Sequence, residues 1–121
     1  MILGLRTVIY PVNDIVAGKN WYAEVLGLAP YFDEVFYVGF NVGGFELGLI
    51  PDAIAGTHGA QALWGVEDAR DAMERLLKLG GQELEAVTDV GGGILVGAVL
   101  DPFGNRFGII QNPHFDKSTV R

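Results

Sequence analysis

Two stretches of this 121-residue chain follow one plan. Val12-Asn13-Asp14, a helix-like run and Gly27 are answered by Val66-Glu67-Asp68, a second such run and Gly81, and the same 54-residue offset separates both pairs. Each copy then continues into strand-like text, ending in Phe45-Glu46-Leu47 and in Phe107-Gly108-Ile109. A duplicated unit constrains the fold strongly, because whatever the first copy builds the second is expected to build as well. Copies this short have little core of their own, so the two are expected to form a single domain. A duplicated chain is also expected to place its site between the copies.

Local signals fill in each copy. Leu5–Val12 is rich in β-branched residues and predicts a strand. Asp14 is placed to cap a helix starting at Ile15, with Ile15, Tyr22, Val25 and Leu26 on one face, and Gly27 stops it with Pro30 just beyond. Val35–Phe40 and Phe45–Ile50 predict strands joined by a hairpin turn at Gly43-Gly44. The stretch 51–59, with Pro51, Gly56 and Gly59, is the linker, so the modules are expected at about 1–55 and 59–121. Gln61–Val66 opens the second module. Asp68 caps a helix that buries Ala69, Ala72, Met73 and Leu76 and exposes Arg70, Asp71, Glu74 and Lys78, and Gly80-Gly81 ends it. Strands are expected at Gln82–Val87, Ile94–Leu100 and Phe107–Gln111, and 112–121 as a loosely held tail.

Composition excludes several functions. With no cysteine there is no disulfide and no thiolate chemistry. A formal net charge of −7, with no basic cluster, argues against nucleic-acid and anionic membrane partners. No apolar run approaches the ~20 residues of a membrane span. No signal peptide is read in the first residues, which leaves the cytoplasm as the default compartment. Gly91-Gly92-Gly93 does not precede a helix, so it predicts a flexible hairpin rather than a phosphate loop.

Val12-Asn13-Asp14 with Trp21-Tyr22-Ala23-Glu24-Val25-Leu26-Gly27-Leu28, then Val66-Glu67-Asp68, Leu79-Gly80-Gly81 and Asp101-Pro102-Phe103-Gly104-Asn105, appear in order within the repeat. On these motifs nearly the whole chain resembles the vicinal oxygen chelate superfamily of glyoxalases, extradiol dioxygenases, fosfomycin resistance proteins and bleomycin-binding proteins. The resemblance implies an α+β fold of two βαβββ modules whose mixed sheet curves around a cleft. It also implies four strand positions that hold a divalent metal in many members, usually as His or Glu. Counting from the motifs puts those positions at Thr7, Glu46, Gln61 and Gly108. Only Glu46 is a good ligand, and a one-residue slip brings in no other at the remaining three positions. No metal and no other cofactor is therefore expected. His58 in the linker is the one residue whose movement would add a ligand beside Glu46, and His114 is read as part of a structural ending.

Two readings of Glu46 stand. As a carboxylate on an apolar strand it should have a raised pKa and serve as general acid or base, with Thr7 and Gln61 as hydrogen-bond donors. Alternatively it is the relic of a metal site, now part of a binding surface. Tyr31, Phe32, Phe36, Tyr37 and Phe40 form an aromatic cluster, of which Tyr37 and Phe40 are taken as ligand-binding together with Thr7, Glu46, Gln61 and Gly108. Asp33-Glu34 is read as a solvated turn or else a second acid-base pair, Trp21 as structural, Trp64 as facing the helix layer or a partner, and Arg6 and Arg106 as surface ion-pairing groups or holders of an anionic ligand.

Three functions follow. The first is a glyoxalase/bleomycin-resistance-like protein that binds a small organic molecule in a metal-free cleft. The second is a lyase, isomerase or dioxygenase using Glu46 as base or weak metal ligand. The third is an accessory subunit with a vestigial cleft. The resemblance to the acidic bleomycin-binding proteins favours binding, and superfamily habit implies a homodimer.

Overall fold

The computed structural model describes residues 1–100, 102 and 106–120. Most of the Asp101–Asn105 motif lies outside the described residues. The order is β1 (Ile2–Pro11), α1 (Ile15–Leu26), β2 (Phe32–Glu34), β3 (Tyr37–Val42), β4 (Phe45–Ile50), β5 (Gln61–Val66), α2 (Ala69–Lys78), β6 (Gln82–Asp89), β7 (Leu95–Leu100) and β8 (Arg106–Gln111). A 3-10 turn at Lys117–Thr119 follows. The chain is α+β and repeats βαβββ. In each repeat the three later strands form an antiparallel meander. Its last strand returns parallel to the first, β4 beside β1 and β8 beside β5. A parallel pair needs a crossover, which α1 and α2 begin.

The chain divides into two compact units, and each borrows an end of the chain. One holds Thr7–Gln61 together with the segment from Asp116 on, and the other holds Met1–Arg6 together with Ala62–Phe115.

In the first unit the strand order is β2-β3-β4-β1. Asp14 caps α1, its Oδ1 accepting from the Val16 and Ala17 amides at 3.1 Å each. Gly27 closes it at φ 69°, a left-handed conformation that suits glycine. Ile15, Tyr22, Ala23 and Leu26 pack on Val38, Phe40 and Leu49. Val25, read from sequence as part of that face, is 59% exposed. Because α1 is apolar nearly all round, its sequence does not single out one buried stripe. Asp33-Glu34 lies in β2 rather than in a turn, and the turn falls at Val35-Phe36. Lys19 pairs with Asp33 at 3.0 Å.

In the second unit the order is β5-β8-β7-β6. Asp68 caps α2 through the Arg70 and Asp71 amides. Ala69, Ala72 and Met73 pack with Val66, Val99 and Ile109, joined by Leu76 and Phe107. Charged residues occupy the wet face of α2, so its periodicity has a single reading. Trp64 stacks on Phe107, ring centroids 5.7 Å apart and 7° from parallel.

The tail is held more firmly than its sequence suggests. Asp116 caps the 3-10 turn through Ser118. The backbone of Thr119 and Val120 lies so close to Gly44 that a Cβ there would come within 2.7 Å of it. His114 Nε2 and the Gly92 carbonyl are 2.7 Å apart, which ties the glycine hairpin to the segment after β8.

Candidate functional site

Glu46 lies in the middle strand pairing of the first unit. β4 register sets it opposite Thr7 on β1 and Asn41 on β3. Side chains at directly opposed positions share a face. Gly39 and Gly48, opposite one another two residues along, therefore belong to the same face. Thr7 is 6% exposed and is the buried polar residue beside Glu46.

Tyr37 completes the arrangement. Its hydroxyl donates a short hydrogen bond to Glu46 Oε2. Its ring lies across Gly48, where a Cβ would overlap the hydroxyl and lie 2.6 Å from Cζ. At Gly39 an added Cβ would be 3.2 Å from Tyr31 Cε1, 3.3 Å from Tyr37 Cε1 and 3.4 Å from Glu46 Oε1. Burial pushes the Glu46 carboxyl up to about 7 and the Tyr37 phenol up to about 12, in both cases because the charged form loses hydration. Phe32 meets Tyr37 and Phe36 edge-on, at 6.1 and 6.0 Å between centroids. Tyr31 and Phe36 are exposed at 64% and 63%. The result is a carboxylic acid at the end of an aromatic bed, partly shielded from water and able to give or take a proton near neutral pH.

Not every expected site residue joins it. Phe40 is 0% exposed and sits in the core beneath α1. The period of two along β3 sends Phe40 to the face opposite Tyr37, so it is removed from the ligand-binding set. Gln61 is half-buried at the start of β5. His58 is exposed, its Nδ1 3.3 Å from Thr57 Oγ1. Gly108 belongs to the other unit, paired with Leu63, and an added Cβ there would meet Leu63 Cδ2 and the Ala62 carbonyl.

Register also changes the correspondence between modules. Ile9 pairs with Gly48, and Leu63, which lies 54 residues after Ile9, pairs with Gly108. Gly108 is thus the counterpart of Gly48, and the counterpart of Glu46 is Arg106. Motif spacing alone matches Glu46 to Gly108. The pairing differs from that match by two residues, because strand register depends on loop lengths, which differ between the copies. Arg106 pairs with Glu85 at 2.8 Å. Arg6 instead stacks over Phe115, 3.9 Å from the ring centroid.

The superfamily's usual divalent metal finds a poor donor set here. Thr7, Glu46 and Gln61 supply one carboxylate and two neutral oxygens, and one Glu46 oxygen is engaged by Tyr37. Among the described residues no three His, Cys, Asp or Glu side chains gather as a metal would need. A depression of about 270 Å³ in the first unit is lined by Tyr10, Pro11, Tyr22, Gly56 and Ala60. Among the described residues no helix is long and apolar enough to cross a membrane.

The fold is similar to that of Streptomyces coelicolor methylmalonyl-CoA epimerase, seen as a glutamine-to-alanine variant with 2-nitronate-propionyl-CoA. That match has a TM-score of 0.76 at 14% identity and covers 93% of this chain and 99% of that one. Methylmalonyl-CoA epimerase from Mycobacterium tuberculosis gives 0.70 at 18% identity, covering 91% and 88%. A Legionella pneumophila chain described as an NAD-dependent benzaldehyde dehydrogenase gives 0.68 at 15%, covering 87% and 96%. At such identities the likeness is one of fold. No curated protein matches the chain in sequence. The model of the Glyoxalase/Bleomycin resistance protein/Dioxygenase superfamily matches residues 4–109, and the chain belongs to that superfamily.

Proposed function

We propose that this protein binds a small, partly aromatic organic molecule on the Glu46 face of its first module, without a divalent metal. The observation that carries the reading is the Tyr37–Glu46 hydrogen bond set among exposed aromatic rings. A half-buried acid is costly to keep charged unless it is paired or hydrated, and Tyr37 is the partner here. Exposed aromatic surface beside it offers contact area to a flat molecule. The net charge of −7 favours neutral or cationic ligands over anions. Superfamily habit adds a homodimer to the reading, which sedimentation equilibrium checks.

The test is isothermal titration of chelator-treated protein with Ni(II), Zn(II), Mn(II) and Fe(II), alongside phenyltrimethylammonium and benzoate. Binding of phenyltrimethylammonium with little response to the metals or to benzoate supports the reading. Metal binding at micromolar or tighter affinity, lost in Glu46→Gln, sinks it.

A second reading is supported by the raised pKa of Glu46 and by the epimerases among the structural neighbours. Here Glu46 takes a proton from a carbon next to a carbonyl and returns it, with Tyr37 holding the carboxylate in place. Incubation with methylmalonyl-CoA in D2O tests this by NMR. Exchange of the carbon-bound proton that disappears in Glu46→Gln moves the protein into the enzyme class, and no exchange retires this substrate.

A further inference from the structure

Gly39 and Gly48 face each other on adjacent strands, yet neither has the positive φ that would demand glycine. Space, not backbone conformation, is what requires them. Glycine inside a strand weakens it and often marks a place where something approaches the sheet closely. Here that something is the phenol ring of Tyr37, whose hydroxyl end crowds Gly48 and whose Cε1 lies beside Gly39.

The second module shows that filling such a gap needs no polar partner. Gly108, the counterpart of Gly48, is covered by the Leu63 side chain. In the first module the cover is instead a planar ring whose hydroxyl ends on a carboxyl group. Tyr31 borders the same strip at Gly39, and Phe32 stands edge-on to the occupying ring. Tyr37 itself is the first residue of β3, directly after the exposed turn Val35-Phe36.

We infer that Tyr37 fills, in the free protein, the seat of a planar ligand bearing one hydrogen-bond donor, and that the ligand enters by turning Tyr37 out. This rests on the binding reading above and narrows it. The bed of Gly39 and Gly48 accepts a flat ring, Tyr31 and Phe32 flank it, and Glu46 accepts the donor. Phenols and ring N–H compounds have this chemistry. Aromatic anions do not, because a carboxylate would face Glu46. Once turned out, Tyr37 joins the exposed rim of Tyr31 and Phe36 and covers the ligand from above.

The seat already holds a p-cresol-shaped group, so p-cresol is the probe. Protein carrying ¹³C-labelled tyrosine and glutamate is titrated with p-cresol, toluene, benzoate and phenyltrimethylammonium and followed by NMR. Expected for the wild type is saturable p-cresol binding that shifts the Tyr37 ring and Glu46 carboxyl signals together, with toluene and benzoate at least about tenfold weaker. Tyr37→Phe keeps the ring and loses the bond that holds it down. It should bind p-cresol about three- to tenfold more tightly, because less is spent on opening. Binding of p-cresol to Tyr37→Ala but not to wild type would mark only a hole made by truncation and would overturn the inference. So would saturation of the wild type with the Tyr37 signal unmoved. Phenyltrimethylammonium binding that shifts Glu46 and leaves Tyr37 still also overturns it while the broader binding reading stands. If neither p-cresol nor phenyltrimethylammonium binds, both fail.

Discussion

The two modules share a backbone plan and use its inner strand positions in opposite ways. Where the first has Glu46, the second has Arg106, and where the first has Gly48 the second has Gly108. The acid in the first module is bonded to a neutral phenol and pushed up to about 7. The base in the second is neutralised by Glu85 at a partly exposed ion pair. The first module thus keeps a titratable group in a shielded aromatic setting, and the second ties its charge to a partner. Duplication supplies the scaffold, while a few side chains decide which copy carries chemistry.

The contrast requires the two faces of the first sheet to act separately, and the largest expected effect tests that. Phe40 is fully buried beneath α1. Phe40→Ala should lower stability by about 3–5 kcal/mol. Urea unfolding measures the loss, and the Glu46 titration followed by NMR should stay near its wild-type midpoint in the folded fraction. A large move would join the faces that the comparison holds apart.

Gly48→Ala comes next. The added methyl displaces the Tyr37 hydroxyl, and overpacking of this kind costs about 1–3 kcal/mol. Loss of the Tyr37–Glu46 bond should be visible in the labelled tyrosine spectrum. At Gly108 the added methyl meets Leu63 and backbone instead, so Gly108→Ala should lose stability without changing the Tyr37 signal.

Titration of Glu46 gives the third. Its carboxyl titrates near 4.5 when unperturbed and near 7 in the fold. Between those values the folded state holds the proton more tightly than the unfolded state. Stability should therefore fall as pH rises from about 4.5 to 7, and stay low above that. After allowance for partial exposure the loss is on the order of 1–2 kcal/mol. Glu46→Gln should remove this slope, so the variant gains on wild type at pH 8 and not at pH 4. Equal urea midpoints for the two proteins at pH 8 would contradict the assigned burial.

The smallest effect belongs to the second module. Glu85 is exposed, so Glu85→Ala should cost no more than about 1 kcal/mol. A greater loss in thermal denaturation would mean that Arg106 depends on its partner as Glu46 depends on Tyr37.

Much of the fold was legible because its signals are local. Asp14 and Asp68 before apolar runs fix helix starts, and Gly27 and Gly43-Gly44 fix turns. The wet face of α2 can be read because its charged residues leave one apolar stripe, whereas α1 offers several, so its sequence does not show that Val25 faces outward. Alternation along β3 already separates Tyr37 from Phe40, although their shared aromatic character grouped them. What one strand cannot reveal is its register with the next. The Tyr37–Glu46 bond, the facing pair Gly39 and Gly48, and the match of Gly108 to Gly48 all depend on register. Glu46 stood out by itself, as an acid among apolar neighbours.

The exchange of chain ends between the units has a consequence for how the protein is made. Met1–Arg6 belongs with the second module, and the segment from Asp116 on packs against the first, at Gly44. On the ribosome the hairpin of β3 and β4 emerges well before the segment that covers its turn. The module that carries Glu46 therefore completes its packing only after the whole second module has been synthesised, and contacts this distant in sequence form slowly. Cutting the gene at the linker would yield two fragments, each lacking the end that the other holds.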